Sequence, residues 1–199
     1  MSKLAVVLLT VPPWGGGEDN GPFVKIDGRE ALMRSVELFL NREGVIHIQV
    51  CFSKDQVEEG KRKFGSHLMF TGVKVCSGGP GWVDQAAAAA AKVPAEATHV
   101  VLHDAARCAV PYDDIDALFD AAGKSALTVL VAALRTPLVE LDEAGGPVGL
   151  RQPTEFTRLL TPAVLSAEAF RQLVSTRKEP HPSAWKLVKD SGMNVRAGD

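Results

Sequence analysis

The chain has 199 residues, of which 46% are hydrophobic and 23% are charged. That length and apolar content suit one domain with a substantial core, which we expect to span residues 1–199. The formal net charge is −2, and its 22 basic and 24 acidic residues are mixed along the chain. Without a basic block we expect no nucleic-acid partner. The opening apolar run is far shorter than the roughly 20 residues that cross a bilayer, so we expect no membrane association and a cytoplasmic protein.

Short apolar runs predict four strands, and they are continuous rather than alternating: Leu4–Leu9, Val45–Phe52, Val100–Leu102 and Thr128–Ala133. Continuous runs are typical of strands that helices cover on both faces of a parallel sheet. Between them, helical periodicity predicts helices over Arg29–Leu40 and Asp113–Ala122. The alanine run Ala86–Ala91 predicts a packed helix rather than a disordered tract, because alanine is the best intrinsic helix former. Alternating strands and helices indicate a three-layer α/β sandwich.

A change of pattern at about residues 135–152 predicts a β-arm. The segment RTPLVELDEAGGPVGLR has two short apolar stretches around a Gly-Gly turn, which is typical of a hairpin. An arm with exposed edges favours a homodimer, because unpaired strand edges need a partner. An ordinary surface hairpin is an equally open alternative.

Two charged residues follow the third predicted strand, in the segment VVLHDAARCAV. Ligands bind beyond the carboxyl ends of strands in an open parallel sheet, so Asp104 and Arg107 are expected to meet a ligand there. A carboxylate can hold magnesium or a hydroxyl group, and a guanidinium can bind phosphate oxygens. From these residues alone, a structural ion pair is an equally open alternative.

The segment HDAAR, with Cys108 where a proline usually follows, resembles the signature of the methylerythritol phosphate cytidylyltransferase family. Other stretches continue the resemblance over almost the whole chain: LAVVLL, EALMRSVELFL, IQVCFS, CSGGPGWVDQAAAAA and LLTPAVLSAEAF. It implies the Rossmann-like sandwich of the nucleotide-diphospho-sugar transferase type. It also implies a homodimer whose β-arms are exchanged between subunits.

The resemblance implies a reaction in which methylerythritol phosphate attacks the α-phosphate of CTP and releases pyrophosphate, an early step of isoprenoid precursor synthesis. Such chemistry needs magnesium (Mg²⁺) and basic side chains, because two polyanions must meet. The candidate catalytic residues are Lys25 and Arg107, and Asp104 is the candidate metal ligand. The nucleotide- or substrate-binding candidates are Thr10, Gly16, Gly78, Gly79, Asp104, Ala105 and Arg107.

The first loop departs from the family pattern, in which an arginine and a lysine neutralise the α-phosphate. Here the stretch is LLTVPPWGGGEDNGPFVKI, and no arginine precedes Arg29. Pro12 and Pro13 supply no amide donors, and an acidic pair, Glu18 and Asp19, stands where positive charge is needed. The family's lysine aligns near Gly21. A flexible glycine-proline surface loop is therefore an alternative to a phosphate-binding loop.

Later motifs depart as well. An arginine and a serine that follow the paired glycines become Trp82 and Gln85, and Trp82 could stack on a base or cover the sheet. The arm arginine that would reach the neighbouring subunit falls near Pro153, where Arg151 or Arg158 could substitute. The Thr-Asp-Glu motif near the C-terminus corresponds to Pro182-Ser183-Ala184.

Two hypotheses follow from the retained signature and the missing cations. The first is a cytidylyltransferase with degraded or altered activity, which would bind CTP or another nucleotide. The second is a non-catalytic dimeric paralogue that binds a ligand or a partner on the same fold. Each lost phosphate-binding group removes several kcal/mol, on the order of 3, of transition-state stabilisation, which favours reduced activity.

Overall fold

The computed structural model describes residues 2–13 and 21–175. Ten strands and five helices occur in this part of the chain, together with 3₁₀ turns at Gly21–Phe23 and Pro153–Glu155. In chain order they are β1 (Leu4–Leu9), β2 (Lys25–Ile26), β3 (Arg29–Glu30), α1 (Ala31–Glu37), β4 (Val45–Ser53), α2 (Val57–Phe70), β5 (Lys74–Gly78), α3 (Trp82–Ala90), β6 (His99–Asp104), α4 (Tyr112–Ala121), β7 (Leu127–Ala133), β8 (Leu138–Leu141), β9 (Pro147–Arg151), β10 (Thr157–Ser166) and α5 (Ala167–Ser175).

A six-stranded sheet in the order β5-β4-β1-β6-β10-β7 forms the middle layer. Side chains alternate across β1, so Val6 and Leu8 enter one core with residues of α1, α2 and α4, while Val7 and Leu9 enter a second core with residues of α3 and α5. Burial on both faces explains why β1 reads as an unbroken apolar run. The three-layer α/β sandwich predicted from the sequence is confirmed.

The four predicted strands are all present, each within a few residues of its predicted bounds, as β1, β4, β6 and β7. The alanine-rich segment forms α3, whose Ala86 and Ala89 are completely buried against the sheet. The sheet is not wholly parallel, because β10 runs antiparallel to both β6 and β7. No helix in the described part of the chain is long and apolar enough to span a bilayer.

The predicted helix over Arg29–Leu40 begins too early. Arg29 and Glu30 form β3, which pairs with β2 through a turn at Asp27 and Gly28, and α1 starts only at Ala31. Both turn residues have positive φ, 50° and 78°, as a tight hairpin of this kind requires. The Asp-Gly pair was the sequence signal for this hairpin, and the helical periodicity of the following residues concealed it.

A hairpin does form within residues 135–152, from β8 and β9. Val139 lies opposite Leu150 on one face. Leu141 and Val148 follow two positions further along the same strands on that face, where a register shift pairs Leu141 with Pro147. The opposite face carries the Glu140–Arg151 ion pair, at 2.8 Å. All four apolar side chains of the first face are more than half exposed. The hairpin is thus amphipathic, and its exchange between subunits stays a prediction.

Candidate functional site

The candidate site lies where the carboxyl ends of β1 and β6 meet. β1 pairs with β4 on one side and β6 on the other. The chain runs outward from β1 through β4 and β5, and then returns to the other side of β1 at β6. Such a switch point opens a crevice at the carboxyl edge of an α/β sheet. Thr10 follows β1, and Asp104 ends β6 opposite Leu9.

The turn after β6 is held by hydrogen bonds to Asp104. Its Oδ1 accepts the N–H of Ala106 at 2.8 Å, and its carbonyl accepts the N–H of Arg107 at 3.0 Å. Ala105 is completely buried and donates its N–H to the Leu9 carbonyl at 2.9 Å. This links the turn to β1. The candidate residues Asp104, Ala105 and Arg107 therefore share one rigid turn.

His103 fixes this turn through a hydrogen bond from its buried ring, a role that sequence reasoning missed. Its side chain is completely buried, and its Nε2 lies 2.9 Å from the carbonyl oxygen of Arg107. Burial lowers its pKa to about 3, despite the Arg107 carbonyl, so the ring is neutral and Nε2–H donates. The ring packs edge-on against Phe39, with centroids 5.0 Å apart. The available signal was that His103 continues the apolar run of β6, a strand covered on both faces.

Asp104 and Arg107 influence each other without forming a close ion pair: no N–O distance of 4.0 Å or less joins them, although both lie in the described part of the chain. Burial raises the pKa of Asp104, while the Ala106 N–H and the Arg107 charge oppose that rise. Burial also lowers the pKa of Arg107, which the Asp104 charge opposes. The structure thus argues against a structural ion pair between Asp104 and Arg107.

Arg158 adds a second positive charge near Arg107. It lies on β10 three residues before Thr161, whose Oγ1 accepts the Asp104 N–H at 3.2 Å. Because β10 is antiparallel to β6, Arg158 lies beyond the carboxyl end of β6. Its charge contributes to lowering the pKa of Arg107. Arg151, the other suggested substitute, is instead paired with Glu140 on the hairpin.

The backbone donors that follow β1 are already used. The Oε1 of Gln85, in the first turn of α3, accepts the N–H of Thr10 at 3.0 Å and that of Val11 at 3.2 Å. Pro12 and Pro13 have no N–H to offer. Within residues 10–13, therefore, no backbone donor remains free for a phosphate. Gly16 lies outside the described residues, as do the positions from Pro182 to Ala184.

Gly78 and Gly79 allow the end of β5 to approach α3 closely. A Cβ at Gly78 would lie 2.5 Å from the Cα of Gln85, and one at Gly79 would lie 2.8 Å from the Cβ of Asp84. Trp82 packs half-buried against the second core, which agrees with a covering role. The paired glycines thus have a packing role that does not depend on any ligand.

Replacing Gly78 with alanine is expected to lower the free energy of unfolding by about 1–3 kcal/mol, because the new methyl group meets backbone that cannot rotate away. Gly65→Ala in α2 is the matched control. A Cβ there has open space around it, and alanine is favoured over glycine in a helix by up to about 1 kcal/mol. Urea unfolding measures both changes. Equal stability of Gly78→Ala and the wild type would contradict the close approach of β5 to α3.

Lys25 is exposed, on the β2–β3 hairpin, and its Nζ lies 3.8 Å from Glu30. The position where the resemblance expects a lysine is Gly21, and Gly21 lies against the turn: a Cβ there would be 2.9 Å from the Cβ of Ala106. The structure therefore places the Lys25 ammonium beside the Glu30 carboxylate. A side chain at Gly21 would require the turn to shift.

The family model of 2-C-methyl-D-erythritol 4-phosphate cytidylyltransferase matches residues 15–196. Similar solved structures include 4-diphosphocytidyl-2C-methyl-D-erythritol synthase from Anaerococcus prevotii, with a TM-score of 0.76 and 11% identity over 99% of this chain and 86% of that one. A second synthase structure has a TM-score of 0.72 and 20% identity, covering 99% and 87% of the two chains. The Thermus thermophilus cytidylyltransferase has a TM-score of 0.71 and 18% identity, covering 97% and 88%. At these identities the structural likeness establishes the fold alone.

Proposed function

Because this chain belongs to the 2-C-methyl-D-erythritol 4-phosphate cytidylyltransferase family, we propose that it binds CTP and transfers the cytidylyl group at a strongly reduced rate. Members of the family bind CTP and act as dimers. The nucleotide phosphates would meet Arg107 and Arg158 beyond the end of β6, near Asp104. Gly78 and Gly79 would border the base. The family signature and the position of its turn at the switch point support this location.

The observation that carries the reduced rate is that residues 10–13 offer no free backbone donor. Gln85 accepts the N–H groups of Thr10 and Val11, and Pro12 and Pro13 have no N–H. A phosphate loop stabilises developing charge through such donors. Lys25 is engaged with Glu30 rather than with any residue of the turn. Arg107 and Arg158 alone would stabilise the transition state less than a site that also has free backbone donors in its phosphate loop.

The family generally uses a divalent metal, and the residues present fit one, with Mg²⁺ as the proposed ion. Magnesium is commonly held by one or two carboxylates together with substrate phosphates and water. The Oδ1 of Asp104 accepts the Ala106 N–H, so Asp104 would hold the ion through its other carboxylate oxygen. When bound, the ion would neutralise phosphate charge.

The test is pyrophosphate release from CTP, 2-C-methyl-D-erythritol 4-phosphate and Mg²⁺, with calorimetric titration of CTP alongside. We expect CTP binding, with turnover below about 1 s⁻¹, the lower end of the usual range for enzymes. Turnover at or above that rate would contradict the reduced activity. If CTP neither binds nor turns over, the chain is instead the non-catalytic paralogue, a binding module for another ligand or partner.

We also propose that the chain is a homodimer held in part by the apolar face of the β8–β9 hairpin. Two-stranded hairpins are marginally stable alone, and this one exposes Val139, Leu141, Val148 and Leu150 on one face. Apolar side chains on one face of a thin hairpin favour a covering partner. A second copy of this chain is the partner that the family predicts.

Replacing Leu150 with aspartate is expected to convert the dimer to a monomer at micromolar concentration, because the new charge would be buried without a partner in the interface. Leu138→Asp is the matched control. Leu138 lies opposite Arg151, on the other face of the same hairpin, so that variant should remain dimeric. Light scattering measures both masses. A monomeric wild type would contradict the proposed dimer.

A further inference from the structure

Gln85 is a completely buried polar residue that joins the candidate site's separate edges. Its Oε1 accepts the N–H groups of both Thr10 and Val11, and its Nε2 donates to the Thr10 hydroxyl at 3.1 Å. These partners lie 74 and 75 positions away in the chain. Gln85 therefore couples the start of α3 directly to the end of β1.

The same network reaches two further strand ends. The Thr10 hydroxyl also accepts the N–H of Ser53, at 3.3 Å, where β4 ends. The Cα of Gln85 is the atom that would collide with any Cβ at Gly78, where β5 ends. The ends of β1, β4 and β5 thus converge on one glutamine.

The Val11 N–H depends on this glutamine more than the Thr10 N–H does. Thr10 also donates to the Cys51 carbonyl, at 3.2 Å, as the strand pairing continues. Val11 has only the Gln85 oxygen as an acceptor among the described residues. The Val11 N–H is half-buried, and a donor withdrawn from water without an acceptor is destabilising, so loss of this acceptor would favour rearrangement at Val11.

We propose that Gln85 is a positioning residue that fixes the segment Thr10–Val11, at the end of β1, in the geometry that admits a nucleotide. This inference rests on the proposed CTP-binding function. Gln85 would act through Thr10 and Val11 rather than by touching the ligand. A nucleotide therefore binds best while the side-chain amide keeps both backbone donors satisfied.

The chain offers a matched control in Gln49. It is also a completely buried glutamine, and it also ties α3 to the sheet, by donating to the Ala89 carbonyl at 3.0 Å. That contact is at the opposite end of α3 from Gln85. Gln49→Met and Gln85→Met both remove a buried amide while nearly preserving volume, and only Gln85→Met affects the candidate site.

The experiment measures residue-resolved amide hydrogen exchange and Mg²⁺–CTP affinity in the wild type and both variants, below their unfolding temperatures. In Gln85→Met we expect the Val11 amide to exchange at least tenfold faster and the Kd for CTP to rise at least tenfold. The Thr10 amide should change less, since Cys51 remains its acceptor. Gln49→Met should leave both quantities within twofold of the wild type.

Equal Val11 exchange in the wild type and Gln85→Met would overturn the proposal. An equal loss of CTP affinity in the two variants would also overturn it, because that result would indicate a general packing effect. Tighter CTP binding by Gln85→Met would overturn it as well, because the amide would then compete with the ligand. Should Gln85→Met not fold, the wild type decides alone: Val11 exchange as fast as that of an unprotected amide overturns the proposal. If the wild type binds no CTP, the proposed function fails, and Val11 exchange alone decides the role of Gln85.

Discussion

Substitution of Arg107 with methionine is expected to weaken CTP binding by about ten- to hundredfold. Methionine keeps much of the length of the side chain and removes its charge and donors. A hydrogen bond to a charged group contributes about 1.5–3 kcal/mol, and each 1.4 kcal/mol corresponds to a factor of ten. Arg107 is half-buried beside the rigid turn at the end of β6, so its charge is less screened than one on an open surface.

Arg158→Met should have a smaller effect in the same direction, because Arg158 is exposed. Arg151→Met is the control, since its guanidinium is already paired with Glu140, and it should leave the Kd within twofold. Calorimetry at two salt concentrations measures the effect, which added salt should reduce. If Arg107→Met and Arg151→Met bind CTP equally well, the phosphates do not contact the turn after β6.

The second large effect is a loss of stability on acidification that depends on His103. Its pKa is about 3 in the folded chain, against about 6.5 for an unperturbed histidine. Between these pH values the unfolded chain binds a proton that the folded chain excludes. Stability is therefore fully present above about pH 6.5 and decreases as the pH falls, by up to about 1.4 kcal/mol per pH unit from this group.

His103→Gln removes the titration and keeps an N–H that can donate to the Arg107 carbonyl. We expect urea unfolding between pH 6 and pH 4.5 to show a shallower decline for His103→Gln than for the wild type. Burial also lowers the pKa values of His47 and His99, but both residues are present in both proteins, so their contributions cancel. Parallel curves would contradict a neutral, buried His103.

The sequence was sufficient to predict β1 and the position of Asp104 at a strand end, because both depend on local apolar runs and on a general rule for parallel sheets. It also predicted the layers of the sandwich. The placement of Lys25 was harder, because an Asp-Gly turn competed with a helical pattern that begins only at Ala31. Local periodicity carries no information about which of two adjacent patterns ends first.

The role of Gln85 could not be read from the sequence for a different reason. Its hydrogen-bond partners are far away in the chain, and a glutamine near the start of a helix is ordinarily a solvated residue. Only the close approach that Gly78 permits brings its amide to the end of β1. His103 was similarly hidden, since its partner is a backbone carbonyl, which any residue at position 107 would provide.

The arrangement at the end of β1 also constrains how this sequence can evolve. A mutation of Gln85 alone leaves the half-buried Val11 N–H without an acceptor, at a cost of up to about 1–3 kcal/mol, while the Thr10 N–H keeps the Cys51 carbonyl. A mutation of Pro12 or Pro13 alone restores one amide while Gln85 still holds its neighbours. A backbone with several free donors at residues 10–13 therefore requires coordinated changes, and the one at Gln85 costs stability. Sequences that carry Gln85 together with Pro12 and Pro13 should therefore retain the three residues together.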